Sequence, residues 1–192
     1  AVMPAALAIS DRVDSDLETF KRASLIGMEV ATRVGVWLGR GHYRKGFHVT
    51  ATAGTFGATV TAGLLLGLND RQFKMALGLA ASRAAGIKAQ FGTMGKPFHA
   101  GTAASNGVEA SLLASRGFVS AEDGFGGPQG FGLTHDSEDN TRIFETFGSE
   151  YIFEGVSHKF HACCHGLHAG MEALIELRDK NFVKSKDVEE IE

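Results

Sequence analysis

The residue types best suited to chemistry are concentrated in three short stretches of the sequence. The segment KFHACCHGLH, residues 159–168, holds three of the eight histidines and both cysteines. The segment GFHVT carries His48, and the segment FGTMGKPFHAG carries Thr93, Lys96 and His99. Imidazoles and amines transfer protons near neutral pH, while imidazoles and thiolates also bind metal ions. The residue types therefore allow acid–base chemistry or a metal site.

A metal site built from the C-terminal histidines and cysteines is the weaker interpretation. His161 and His165 are four residues apart, and His165 and His168 are three apart, so each pair can share a helix face. The adjacent Cys163 and Cys164 point in different directions, and no matching pair of ligands lies elsewhere in the sequence. We assign no metal ligand, but a His/Cys metal-binding module stays an alternative.

The elements that would position these residues are mainly helices. Apolar residues at helical spacing predict five helices, over residues 14–38, 50–66, 70–85, 97–116 and about 167–178. Asp14 or Ser15 is expected to cap the first helix and Asp70 the third, and Pro97 is expected at the first position of the fourth. Gly117 fits the C-terminal cap of the fourth helix.

The remaining segments predict a change of architecture along the chain. Residues 39–49 and 86–97 are expected to be loops, residues 119–135 an ordered glycine-rich loop, and residues 139–147 a short helix. The stretch SEYIFEGVSHKF resembles a strand. The fold class expected is mainly α: an all-helical domain over 1–132, then the beginning of a smaller α+β domain over 133–192. Both are expected to be incomplete parts of a longer protein.

The three chemical segments share one position relative to the predicted helices. His48 precedes the second helix, Lys96 precedes the fourth, and the histidines of 161–168 open the fifth. Helix N-termini offer free backbone N–H groups and partial positive charge, which suit anions. If these ends converge, they form a pocket for a small polycarboxylate. Each residue also has a purely structural interpretation, as a cap, a solvated lysine or, for His99, a hydrogen bond to a loop.

Bulk composition narrows the range of partners. The net charge of −3 gives no basic footprint for nucleic acid, and no apolar run of membrane-spanning length occurs. Two adjacent cysteines without a disulfide framework favour the cytoplasm. The glycine-rich segments lack the spacing of a P-loop or of a dinucleotide fingerprint.

Several stretches together resemble the MmgE/PrpD family in order and spacing. They are GFHVTATAGTFGATVTAGLLLGLND, AASRAAGIKAQFGTMGKPFHAGTAASNGVEASLLASRGF, GPQGFG and KFHACCHGLHAGMEAL. The likeness covers about residues 1–180, and FGTMGKPFHAG is its most diagnostic part. The resemblance implies a helical domain, a smaller α+β domain, a homodimer and no need for a metal or organic cofactor.

The resemblance also implies a reaction and a set of residues. The family acts on small di- and tricarboxylates by proton transfer next to a carboxylate. His48, Lys96 and His168 match family positions that we expect to be catalytic, while Thr93, His99, His161 and Cys164 are expected to bind substrate. His161 departs from the tyrosine usual in the motif K-P-Y-P-x-C-x-x-x-H.

The expected activity is that of a hydro-lyase of the 2-methylcitrate dehydratase type. The same parts would also serve an iminodisuccinate epimerase or a cis-aconitate decarboxylase, which belong to the same family. From another class of function, a metal-binding module or a non-catalytic helical relative stays open.

Overall fold

The computed structural model describes residues 1–190 and divides into two compact units. The first comprises Ala1–Glu154, and the second begins at Gly155. The α-helices are α1 Val2–Val13, α2 Leu17–Lys45, α3 Val49–Leu65, α4 Asp70–Arg83, α5 Gly95–Ser115, α6 Phe131–Thr134 and α7 His168–Asp179. Short 3-10 turns lie at Lys88–Gln90, Thr141–Phe144, Ile152–Gly155, His165–Leu167 and Ser185–Asp187. The mainly α, helical fold class is confirmed.

The first predicted helix begins and ends later than expected. Asp16, rather than Asp14 or Ser15, is its N-cap and accepts a hydrogen bond from the Thr19 N–H. Asp14 instead ends α1, a helix that the periodicity did not predict, in the left-handed conformation. The loop expected from residue 39 is wrong up to Lys45, because Gly39 (φ 71°, ψ −168°) only interrupts α2 before the helix resumes.

The other predicted helices are found with small shifts at their ends. Asn69, not Asp70, caps α4, through a reciprocal pair of hydrogen bonds with Gln72. Helix α5 begins at Gly95, so Pro97 occupies its third position instead of its first. Gly117 follows the helix with φ +86°, as a C-terminal glycine should.

Helix α3 lies at the centre of the first unit, packed against α1, α2, α4 and α5. Residues on nearly every side of α3 are buried. The close approach of α2 and α5 to this helix depends on glycine. A Cβ on Gly107 of α5 would lie 2.5 Å from the Thr59 backbone nitrogen of α3. A Cβ on Gly57 would lie 2.5 Å from the Gly27 carbonyl of α2. The small residues of these helices are therefore a packing requirement.

The segment after α5 packs onto the helices of the first unit. Trp37 stacks on Phe125 with ring centroids 4.3 Å apart. The fully buried Arg33 donates hydrogen bonds to the carbonyl oxygens of Ile143 and Glu150. The compact unit thus continues to Glu154, whereas the α+β domain expected over 133–192 stays a prediction.

The strand expected in SEYIFEGVSHKF is wrong. Within residues 1–190 only isolated bridges occur, and Ile152–Gly155 form a 3-10 turn. The backbone N–H groups of Ile152 and Phe153 donate to the buried Glu29 carboxylate, so they are not available to a sheet. None of the described helices has the length and apolar character needed to span a bilayer.

Candidate functional site

His48 directly precedes α3, as the sequence predicted. It has extended backbone angles (φ −92°, ψ 100°), and its side chain makes no capping bond to the helix. Its N–H donates to the Gly86 carbonyl at 3.0 Å, next to an antiparallel bridge between Phe47 and Ile87. The backbone is therefore fixed by the loop after α4, and the imidazole remains available for other contacts.

The imidazole of His48 meets that of His99 from the first turns of α5. Their Nδ1 atoms are 2.9 Å apart, although the residues are 51 positions apart in the sequence. Gly86 makes this approach possible, since a Cβ there would lie 2.5 Å from that of Ala51 and 3.3 Å from the His99 ring. Its φ of +151° also disfavours other residues.

The ring of Phe91 contacts both Lys96 and His48. The edge-on contact between the His48 and Phe91 rings has a centroid separation of 5.0 Å, and the Lys96 Nζ lies 4.6 Å from the Phe91 centroid. Lys96 is the second residue of α5 and is half-buried. In the part of the chain that the structure describes, no carboxylate lies within ion-pair distance of its Nζ.

Thr93 lies in the turn that leads into α5. Its hydroxyl donates to the Gln90 carbonyl at 2.8 Å and accepts from the Gly95 N–H at 3.0 Å. The structure thus gives Thr93 a role at the beginning of the helix that holds Lys96. Substrate binding by Thr93 stays a prediction.

Burial is the main electrostatic influence on His48. The side chain is 7% exposed, and desolvation lowers the pKa of its imidazole from 6.5, followed by the charges of His99 and Lys96. All three causes disfavour the imidazolium form. At neutral pH the His48 ring is therefore neutral.

In the form of the pair that carries one hydrogen on each ring, the two imidazoles are chemically different from each other. One ring must carry the hydrogen on Nδ1, which leaves its Nε2 as a base, while the other ring carries its hydrogen on Nε2. Neither Nε2 hydrogen-bonds another protein group within residues 1–190. The pair thus offers one proton acceptor and one proton donor beside an ammonium group.

Three of the predicted residues, His161, Cys164 and His168, belong to the second unit. His168 is the first residue of α7, is 9% exposed, and its buried Nε2 has no hydrogen-bond partner in the described residues. The His161 Nε2 lies 2.5 Å from a Glu172 carboxylate oxygen, and the His161 and His168 rings are 5.2 Å apart. Cys164 is exposed. Convergence of His168 with His48 and Lys96 stays a prediction.

The metal-binding alternative receives no geometric support from this cluster. Between residues 1 and 190, no three His, Cys, Asp or Glu side chains are placed so that they could hold a metal ion. The Cys163 Sγ instead contacts the Met171 Sδ at 3.4 Å.

Sequence reasoning missed three residues around His48. Phe91 and Gly86 belong to a segment expected to be a loop, and no spacing rule connects them to residue 48. The fully buried His42 lies in the other predicted loop, and its Nε2 is 2.9 Å from the Thr52 hydroxyl. The sequence feature that could have drawn attention to His42 is the pair of histidines in the segment GHYRKGFH.

Comparison with known proteins finds a family model and several relatives that match this sequence. The model of the MmgE/PrpD N-terminal domain matches residues 1–143. The chain is similar to the cis-aconitate decarboxylase-like protein oryM of Aspergillus oryzae, with 31% identity over 83% of this chain and 35% of the relative. It is also similar to the cis-aconitate decarboxylase of Aspergillus terreus, with 28% identity over 93% of this chain and 40% of the relative.

A further match is shorter but more similar. The human cis-aconitate decarboxylase is 38% identical over 43% of this chain and 18% of the human protein. The chain spans less than half the length of these curated relatives.

Proposed function

The chain belongs to the MmgE/PrpD family, and from this premise we propose that it transfers a proton at a carbon next to a carboxylate of a small di- or tricarboxylate. The observation that carries the proposal is the His48–His99 contact beside Lys96. A base and an acid on neighbouring rings can remove and deliver protons. His48 and Lys96 act on the reacting atoms, and His99 completes the pair.

Lys96 supplies the charge that such a reaction needs. Removing a proton next to a carboxylate, or losing CO₂ there, develops negative charge in an enolate-like transition state. At the beginning of α5, the ammonium of Lys96 has no carboxylate partner among residues 1–190, and it would stabilise that charge electrostatically. The face of Phe91 keeps the ammonium beside the histidines through a cation–π contact.

We propose decarboxylation of a cis-aconitate-like tricarboxylate as the reaction, supported by the names of the similar proteins. The bond between a carbon and its carboxylate breaks, and CO₂ leaves without the bonding electron pair. The pair remains on the carbon framework, stabilised by Lys96, until an imidazole delivers a proton. The hydro-lyase reaction of the 2-methylcitrate dehydratase type uses the same groups and stays a prediction.

Residues of the second unit belong to the proposal as well. We propose His168 as a catalytic group there, with His161 and Cys164 binding substrate. The carboxylate of Glu172 would hold the His161 imidazole in one orientation, at the position where the family motif has tyrosine. A homodimer and the absence of a cofactor belong to the same proposal.

The experiment is a turnover assay of the full-length protein in D₂O with three acids: cis-aconitate, 2-methylcitrate and iminodisuccinate. We expect consumption of cis-aconitate with release of CO₂ and one carbon-bound deuterium in the product. Consumption of 2-methylcitrate alone would show that the protein is a hydro-lyase and not a decarboxylase. Consumption of none of the three would contradict the proposed function and favour a non-catalytic relative.

A further inference from the structure

His42 is a fully buried histidine whose two ring nitrogens both have partners. Its Nδ1 lies 2.5 Å from the His135 carbonyl oxygen, and its Nε2 lies 2.9 Å from the Thr52 hydroxyl. A carbonyl only accepts hydrogen bonds, so Nδ1 must carry a hydrogen.

The protonation state of His42 decides which atom donates in the hydrogen bond between its Nε2 and the Thr52 hydroxyl. Burial lowers the pKa of His42, against the raising effects of the His135 carbonyl and the Asp136 charge. The neighbouring imidazole of His135, with ring centroids 6.2 Å apart, has a pKa that burial also lowers. A neutral His42 has a lone pair on Nε2, so the Thr52 hydroxyl must donate to it.

His42 contacts one residue that precedes His48 in the sequence and one that follows it. Before it, the Phe47 ring stacks on the His42 ring, with centroids 4.4 Å apart and planes 3° from parallel. After it, the Thr52 N–H donates to the His48 carbonyl at 3.2 Å, in the first turn of α3. The ring of His42 thus contacts the residue that precedes His48 and one of the two residues whose N–H groups donate to the His48 carbonyl.

We propose that His42 is a positioning residue, which holds the backbone around His48 so that the His48 imidazole meets His99. Its effect passes through Thr52 and Phe47, and His42 itself touches no reacting atom. The catalytic meaning of this arrangement rests on the proposed function. The positioning itself rests only on the contacts within the first unit.

The test compares three threonine variants of the full-length protein. Thr52→Val removes the hydroxyl and nearly preserves volume, while Thr52→Ser retains the hydroxyl. Thr59→Val is the matched control, since Thr59 is equally buried in α3 and, among residues 1–190, its hydroxyl bonds only the Thr55 carbonyl of the same helix. The readouts are the NMR titration of the His48 imidazole, the melting temperature, and kcat and KM for the acid that the wild type consumes.

Thr52→Val should raise the pKa of His48 toward its ordinary value, because the ring moves from His99 and gains water. Thr52→Ser and Thr59→Val should leave that titration unchanged. Small displacements of a catalytic group cost up to about 100-fold in rate, so kcat should fall by at least about tenfold in Thr52→Val with KM little changed. A purely structural role would lower the melting temperatures of both valine variants without moving the His48 titration.

Failure of the positioning role of His42 can be told apart from failure of the proposed function. If Thr52→Val does not fold, Phe47→Leu removes the stacking contact on the other side and should shift the His48 titration in the same direction. An unchanged His48 titration in both variants would overturn the positioning role. If the titration responds but the wild type consumes no polycarboxylate, the positioning role stands and the proposed function fails.

Discussion

The Nδ1 atoms of His48 and His99 face each other at 2.9 Å, so a hydrogen must lie between them. Only one ring can supply it, because two Nδ1–H groups would repel at that distance. The doubly protonated pair is therefore disfavoured, in agreement with the lowered pKa of His48. The working form is neutral or singly protonated, with Lys96 providing the fixed positive charge.

The pH dependence of activity follows from this pair. The basic form of His48 is lost as the pH falls through its lowered pKa, so the acid limb of kcat/KM should lie below 6.5. His99→Leu removes one of the causes that lower this pKa and should move the acid limb to higher pH. The measurement is kcat/KM against pH for both proteins. An acid limb above 6.5 in the wild type would contradict a neutral His48 as the form that takes part in the proton transfer.

Lys96 can be tested against a matched lysine. Lys96→Ala should lower kcat by about 100-fold or more, since it removes the group that we propose to stabilise developing charge. Lys88→Ala is the control, because the Lys88 Nζ also lies over an aromatic ring, 3.7 Å from the Tyr43 centroid. Steady-state kinetics of both variants decides the question. Equal effects of the two changes would show that Lys96 has no special role.

Two glycines of α5 test the close helix packing. Gly107→Ala should lower the free energy of unfolding by about 1–3 kcal/mol, since its Cβ would meet the α3 backbone. Gly101→Ala should be neutral or stabilise by up to about 1 kcal/mol, since nothing lies within 4 Å of its Cβ. Urea unfolding measures both. Equal stabilities of the two variants would contradict the packing shown here.

The buried ion pair of α2 anchors the segment that follows residue 140. Arg33→Ala leaves the Glu29 carboxylate buried and unpaired, which should cost about 3–5 kcal/mol of unfolding free energy. Glu109→Ala breaks the pair with Arg83, but Glu109 is 51% exposed, so the cost should stay below about 1 kcal/mol. Chemical denaturation compares the two variants. A small effect of Arg33→Ala would mean that the pair does not hold the segment.

Much of the helical architecture could be predicted because periodicity is a local property. Helices α3, α4 and α5 were found within two residues of their predicted N-terminal ends. The continuation of α2 past Gly39 could not be predicted, since it depends on tertiary contacts such as the bond from the Gly41 N–H to Glu138. The strand prediction failed for a similar reason, because the buried Glu29 accepts the N–H groups of Ile152 and Phe153.

The candidate site was predictable only as separate residues. Helix-end positions singled out His48 and Lys96, and the family resemblance added His99. The contact between His48 and His99, and the Phe91 ring that joins Lys96 to them, depend on how α3 and α5 pack. No sequence spacing encodes those distances. His42 was missed because a buried histidine in a charged segment looks like a surface residue.

Proton transfer by His48 is tested by measuring the turnover of His48→Gln in D₂O. His158→Gln is the control, as an exposed histidine of the second unit. General acid–base catalysis contributes about 10²–10⁴-fold, so His48→Gln should lower kcat and the rate of carbon-bound deuterium formation by that factor. The control should match the wild type. A folded His48→Gln protein with the turnover of the control would contradict proton transfer by His48.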